Sequence, residues 1–183
     1  EKNDYFEAFN PLWNDNLNSR NEGKNVSLSN YFVAEYFPTQ EWRIRARLGI
    51  TYGNNDAEVF YSPEDTRFED TEVLKKGEYT STNTRLNQTE GELSVTWAKI
   101  LGGHRINLVA GGNFNASKSL VQGYSVQGFP NGDFTYPSFS NGYPEHGVPT
   151  FYESVSRSLN GYFNVGYSFD DRYLMDFSLR SSG

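Results

Sequence analysis

This sequence contains no cysteine, one methionine, and only two histidines, His104 and His146. The missing cysteines exclude a disulfide-stapled extracellular domain and all thiol chemistry. No stretch approaches the ~20 apolar residues a membrane helix requires, so a helical membrane protein is excluded. A secretory leader, a lipidation signal and a Lys/Arg cluster are also missing, so the sequence is expected to be mature or a piece of something longer. With 16 Lys+Arg against 23 Asp+Glu, its net charge of -7 argues against nucleic acid as a partner. Neither histidine has a carboxylate or hydroxyl at triad spacing, which leaves catalysis unsupported and implies no cofactor. The acidic stretch 53–77 lacks the D-x-[DN]-x-[DN]-G spacing of a calcium loop and reads as solvated, with no metal site.

What is abundant is aromatic: 13 Tyr and 14 Phe in 183 residues, a bias that favours strands. The most informative stretch is WRIRARLGITY. Trp42, Ile44, Ala46, Leu48, Ile50 and Tyr52 fall on one face, and Arg43, Arg45, Arg47, Gly49 and Thr51 on the other. A strict period of two belongs to an extended strand. Its apolar face begins and ends with an aromatic. Ten residues at about 3.3 Å, tilted by about 40°, give about 25 Å of height, which matches the lipid-facing band of an outer-membrane barrel and its two aromatic girdles. A mean hydropathy of -0.70 does not oppose this, because only alternate residues of each strand touch lipid.

Five further strands follow from the same pattern. Val26–Phe37 pairs with the Trp42 strand across Pro38-Thr39-Gln40, which puts Glu35 opposite Arg43 or Arg45. Gly77–Ile100, with Leu93, Val95 and Trp97 outward, turns at Leu101-Gly102-Gly103 into His104–Asn115. The last hairpin places Leu159, Phe163, Val165, Tyr167, Met175 and Phe177 on one face, with Asp170-Asp171 in the turn and Asp176 and Arg180 on the other face. Three long connections, 1–25, 53–77 and 117–152, alternate with the short turns. That is the asymmetry of extracellular loops and periplasmic turns. The expected fold is therefore all-β: an antiparallel transmembrane β-barrel segment of about six strands in three hairpins. Six strands cannot close, since the smallest membrane barrels need about eight. Residues 1–183 are thus expected to be part of a larger barrel domain.

The run SLNGYFNVGYSFDDRYLMDFSLRSSG resembles the signature hairpin of the SusC/RagA family of TonB-dependent outer-membrane transporters of Bacteroidetes. Tyr167, Asp171, Arg172, Tyr173, Leu174, Ser178, Leu179 and Arg180 fall on its pattern, and the Asp usually found after the Arg is absent following Arg180. Asn10-Pro11-Leu12 and SNYFVAEYFPTQEWRIRARLGITY look like earlier strands of the same barrel. The resemblance implies a 22-stranded barrel around a plug that these residues do not include. It also implies location in the bacterial outer membrane, a SusD-like lipoprotein lid, and energised import of oligosaccharides or peptides through TonB.

Two groups of residues carry the site expectations. Glu35, Arg43, Arg45, Arg47, Asp176 and Arg180 face the lumen, where they would pair with one another or the plug, or else contact cargo. Trp42, Ile44, Leu48, Ile50, Tyr52, Phe163, Val165, Tyr167, Met175 and Phe177 face outer-membrane lipid. In the loop 117–152, the aromatics Phe129, Phe134, Tyr136, Phe139 and Tyr143 suit sugar stacking or lid docking, or alternatively pack a core of the loop's own. The rival fold is a soluble extracellular β-sandwich that binds carbohydrate, with its apolar faces packed together in one core.

Overall fold

In a computed structural model, described over residues 12–183, the chain forms one antiparallel sheet in sequence order. Its strands are β1 (Arg20–Tyr36), β2 (Trp42–Tyr61), β3 (Glu78–Leu101), β4 (His104–Gln127), β5 (Thr150–Phe169) and β6 (Tyr173–Ser182). No second sheet is present among the described residues to pack against it, and the sandwich alternative therefore lacks its defining feature. Tyr5, Phe6 and Phe9 of the expected first loop lie outside the described residues, as do Asn10 and Pro11.

The three short turns fall where the sequence placed them, and the last one shows why it can be so tight. Asp170 and Asp171 adopt φ of 47° and 52°, and Arg172 N–H donates to the Phe169 carbonyl at 3.0 Å. Two consecutive positive φ values match the right-handed twist of the flanking strands, and Asp tolerates that region better than most residues. The β5–β6 register follows, with Val165 opposite Phe177, Gly166 opposite Asp176 and Tyr162 opposite Arg180. From Tyr162 to Tyr167 apolar faces apolar and polar faces polar, while Ser168 lies opposite Leu174 beside the turn.

The long connections are shorter than expected. Residues 20–25, 53–61, 117–127 and 150–152 belong to strands, which leaves 12–19, 62–77 and 128–149 as the long connections among the described residues. Periodicity could not reveal those strand extensions, because alternation marks a strand with one apolar face only. In β2 the even-numbered positions change from Ile50 and Tyr52 to Asn54, Asp56 and Glu58. There, side-chain amides bridge the strands: Asn83 donates to Asn54 Oδ1 at 2.9 Å and also to Asp56.

The chain divides into two compact units. The first (Glu1–Val26, Asn54–Thr84, Val121–Tyr152) holds the buried core, made of Phe60, Tyr79, Val126 and Phe129, with Tyr124 packed beside it. Phe60 is 0% exposed and meets the Phe129 ring edge-on at 5.1 Å between centroids. Loop backbone ties into the same core: Phe129 N–H donates to the Lys76 carbonyl at 2.8 Å and Gly128 N–H to that of Gly77 at 3.1 Å. The second unit (Ser27–Gly53, Arg85–Leu120, Glu153–Gly183) holds the alternating strand stretches.

Candidate functional site: the two faces of the strand wall

In the second unit the polar face carries a series of cross-strand contacts. Arg43 donates to Glu35 at 2.7 Å, and Arg45 Nε lies 3.5 Å from the same carboxylate, so the cross-strand charge pair expected from the hairpin register is formed. Arg47 reaches Glu90 at 3.4 Å, and its guanidinium stacks over the Tyr31 ring at 4.7 Å. Ser29 and Thr51 hydroxyls meet at 3.0 Å. Further along, Tyr162 donates to Glu92 at 3.2 Å, and the Asn160 amide donates to Asn113 at 2.8 Å. These pairs are half-exposed, so solvent screening keeps the contribution of each small. Their collective effect is to hold a wet, charged lining in register.

That lining contains a cleft of about 310 Å³ bordered by Arg47, Glu90, Glu92, Asn113, Asn115 and Asn160. The Asn115 Oδ1 beside it is buried without a hydrogen-bond partner. An unsatisfied acceptor next to two carboxylates and a guanidinium is equipped to take an N–H donor from another segment or a solute. Asp176 and Arg180 lie opposite Gly166 and Tyr162, on the face that Tyr162 shares with Glu92. Sequence reasoning missed Tyr31, Glu90, Asn113, Asn115 and Asn160 as members of this lining. Counting parity along β1, β3, β4 and β5 would have found them.

Glycines let aromatic rings lie flat on both faces. A Cβ at Gly111 would sit 2.6 Å from the Tyr162 ring and 2.8 Å from the Leu93 carbonyl oxygen, and one at Gly91 would collide with the Phe114 ring. Only glycine permits so close an approach, and the rings cover backbone that it leaves bare.

The apolar face is exposed. Leu48 is 41% and Met175 69% accessible, and Trp42, Ile50, Tyr52, Phe163 and Phe177 are likewise exposed. Ile44, Val165 and Tyr167 are half-buried. Near the short turns, Tyr167 bonds His104 Nδ1 at 2.7 Å, and Trp42 packs against Trp97 at 6.2 Å. Such a stripe is costly in water, and an amphipathic environment on that side removes the cost.

The loop aromatics divide. Phe129 is buried in the first unit's core at 3% exposure, and Phe134 and Phe139 pack edge-on at 4.9 Å. Tyr136 at 64%, Tyr143 and the Phe134–Phe139 pair itself are exposed. In the same unit Arg67 lies over the Tyr61 ring at 3.3 Å and 3.2 Å from Asp65. Burial in the core pushes the Tyr79 phenol up to about 12, reinforced by its hydrogen bond to Glu58. His146 is exposed and 3.8 Å from Glu145. Among the described residues no group of three His, Cys, Asp or Glu is placed to hold a metal.

The fold and its two faces define an all-β, antiparallel sheet of the kind that forms a segment of β-barrel wall, and no helix is long and apolar enough to cross a membrane. No family model and no curated protein matches the sequence. Among solved structures, the RagAB peptide transporter superposes with a TM-score of 0.78 at 18% identity, over 90% of this chain and 18% of that one. The RagAB peptide importer in its closed-closed state gives the same values, and its open-open state a TM-score of 0.73. At this identity the likeness is one of fold, and the chain spans less than a fifth of the length of those chains.

Proposed function

We propose that the chain is a wall segment of an outer-membrane importer of the SusC/RagA type, a transporter and not an enzyme. The observation that carries this reading is the exposed apolar stripe of Trp42–Tyr52 set against an ion-paired polar lining on the opposite face of the same strand. A barrel wall needs both at once: lipid outside and water inside. The superposition on RagAB chains supports the reading at the level of fold. In it, Glu35, Arg43, Arg45, Arg47, Asp176 and Arg180 face the lumen and the plug, while the exposed loop aromatics Phe134, Tyr136, Phe139 and Tyr143 face cargo or a SusD-like lipoprotein lid. Energy arrives through TonB, engaged by a part of the protein outside these residues. The cargo class is oligosaccharides or peptides, and the peptide cargo of the RagAB structures favours the latter.

Expression of the full-length protein tests this reading. It is expected to sediment with the outer membrane, to require detergent for extraction, and to support uptake of labelled oligopeptide or oligosaccharide that stops when TonB is deleted. Full-length protein that stays in the aqueous fraction and runs monodisperse without detergent contradicts it.

A further inference from the structure

On the polar face of the second unit, two glycines decide which carboxylate meets a cation. A Cβ at Gly49 would sit 2.7 Å from the Glu90 side chain and 2.8 Å from the Tyr31 ring, so these two groups meet over bare backbone. There the Arg47 guanidinium lies 4.7 Å from the Tyr31 ring centre and 3.4 Å from Glu90. Arg47 is thus held on the Glu90 side, toward β1. Gly111 gives the same room to the Tyr162 ring, whose hydroxyl reaches Glu92 at 3.2 Å. Glu92 stands two residues and about 6.6 Å beyond Glu90 along β3. Among the described residues no ion pair involves it, although Arg43, Arg45 and Arg47 each have a carboxylate within 4 Å.

Arg47, Glu90 and Glu92 border the cleft of about 310 Å³ together with Asn113, Asn115 and Asn160. One guanidinium against two carboxylates leaves that cleft one negative charge in excess. Asn160 donates to Asn113 at 2.8 Å, whereas the Asn115 side-chain amide makes no hydrogen bond among the described residues and its Oδ1 is buried. Turning that amide about χ2 brings Oδ1 into the cleft and breaks no hydrogen bond. The floor of the cleft is β3 and β4, each with a strand on both sides, and Tyr162 stands opposite Arg180 in the paired part of β5.

We propose that this cleft binds a side-chain guanidinium group, with Glu92 as its charge partner and Asn115 Oδ1 as a second acceptor. The inference rests on the barrel-wall reading above, which makes this face the lumen. A guanidinium fits better than an ammonium because its planar fork presents donors along several edges, so one group meets a carboxylate and an amide oxygen together. A metal ion fits less well, since among the described residues no three His, Cys, Asp or Glu are placed to hold one. Two sources can supply the arginine: a peptide passing through the lumen, or a segment of the same protein outside these residues. The recognition chemistry is the same for both.

The test titrates full-length protein in detergent with two fluorescent peptides that differ only in carrying arginine or citrulline, its neutral counterpart, and reads binding by anisotropy. Hydrogen exchange of the same protein is followed by mass spectrometry. If a peptide supplies the arginine, wild type is expected to hold the arginine peptide roughly fivefold tighter, as suits a carboxylate open to solvent, and Glu92→Gln to abolish the difference. Asn115→Asp, which adds a carboxylate of the same shape, is expected to widen it by a similar factor. If the protein itself supplies the arginine, the two peptides bind alike and Glu92→Gln raises exchange in a segment outside residues 1–183. Either result supports the site. Glu41→Gln removes a carboxylate that pairs with Lys99 outside the cleft, and is expected to behave like wild type in both measurements. Three results overturn the proposal: peptides that bind alike with exchange unchanged in Glu92→Gln, a preference for arginine that survives Glu92→Gln, or a response to Glu41→Gln equal to that of Glu92→Gln. Any of these from protein extracted out of the outer membrane refutes the cleft alone, whereas protein that stays in solution without detergent refutes the barrel reading beneath it.

Discussion

Removing Phe60 is expected to release the two loops of the first unit. The side chain is fully buried and meets Phe129 edge-on at 5.1 Å. Truncating a buried Phe to Ala costs about 3–5 kcal/mol, the transfer term plus a cavity that the surroundings fill only in part. Phe60→Ala and Phe129→Ala should each cost that much, with a coupling of about 0.5–1.5 kcal/mol between the rings in a double-mutant cycle. Arg67 is pinned over Tyr61, and the Lys76 carbonyl accepts from Phe129 N–H, so these two of the three trypsin sites in 62–77 are held by this core and its neighbours. If cleavage there requires local opening, a loss of 3–5 kcal/mol raises the open population by roughly two to three and a half orders of magnitude. Limited trypsinolysis of the full-length protein in vesicles, timed by mass spectrometry, measures that rise. Unchanged cleavage after Arg67 and Lys76 in Phe60→Ala would show that the core does not anchor the loops.

Gly111→Ala is expected to destabilise by about 1–3 kcal/mol, seen as a lower guanidinium midpoint at unchanged slope. The Leu93 carbonyl cannot swing away as the Tyr162 ring can, so full rescue by Tyr162→Ala would contradict this account. Tyr79 holds its proton more tightly in the fold than its ordinary value near 10. Its contribution to stability is therefore complete below about pH 10 and is lost as pH rises from about 10 through about 12. Tyrosinate absorbance of wild type minus Tyr79→Phe should show one phenol titrating late, and Glu58→Gln should move it earlier.

Much of the sheet was legible because alternation is the direct imprint of two unlike faces on one strand. Trp42–Tyr52 shows it most clearly, and the Glu35–Arg43 pair follows from hairpin register alone. The outer strand stretches were illegible for the same reason. From Asn54 to Glu58 the even-numbered positions turn polar, and amide and carboxylate bridges replace an apolar face. Phe129 illustrates a second limit: an aromatic in a Gly- and Pro-rich loop looks the same in sequence whether it greets a ligand or plugs a core. Its burial followed from the reach of β2 and β4, which carry Phe60 and Val126 past the expected strand ends to join Tyr79.

The opposed chemistry of the two faces can be measured directly, and the absence of cysteine in these residues makes it simple. Single cysteines placed in turn at positions 43–51 of the full-length protein in outer membranes would carry a spin label, read by collision with oxygen and with a water-soluble nickel chelate. The account predicts a period of two, with Ile44, Leu48 and Ile50 favouring oxygen and Arg43, Arg45 and Arg47 favouring the chelate. Labels that show no alternation, or that shield the even-numbered positions from both reagents, would contradict it.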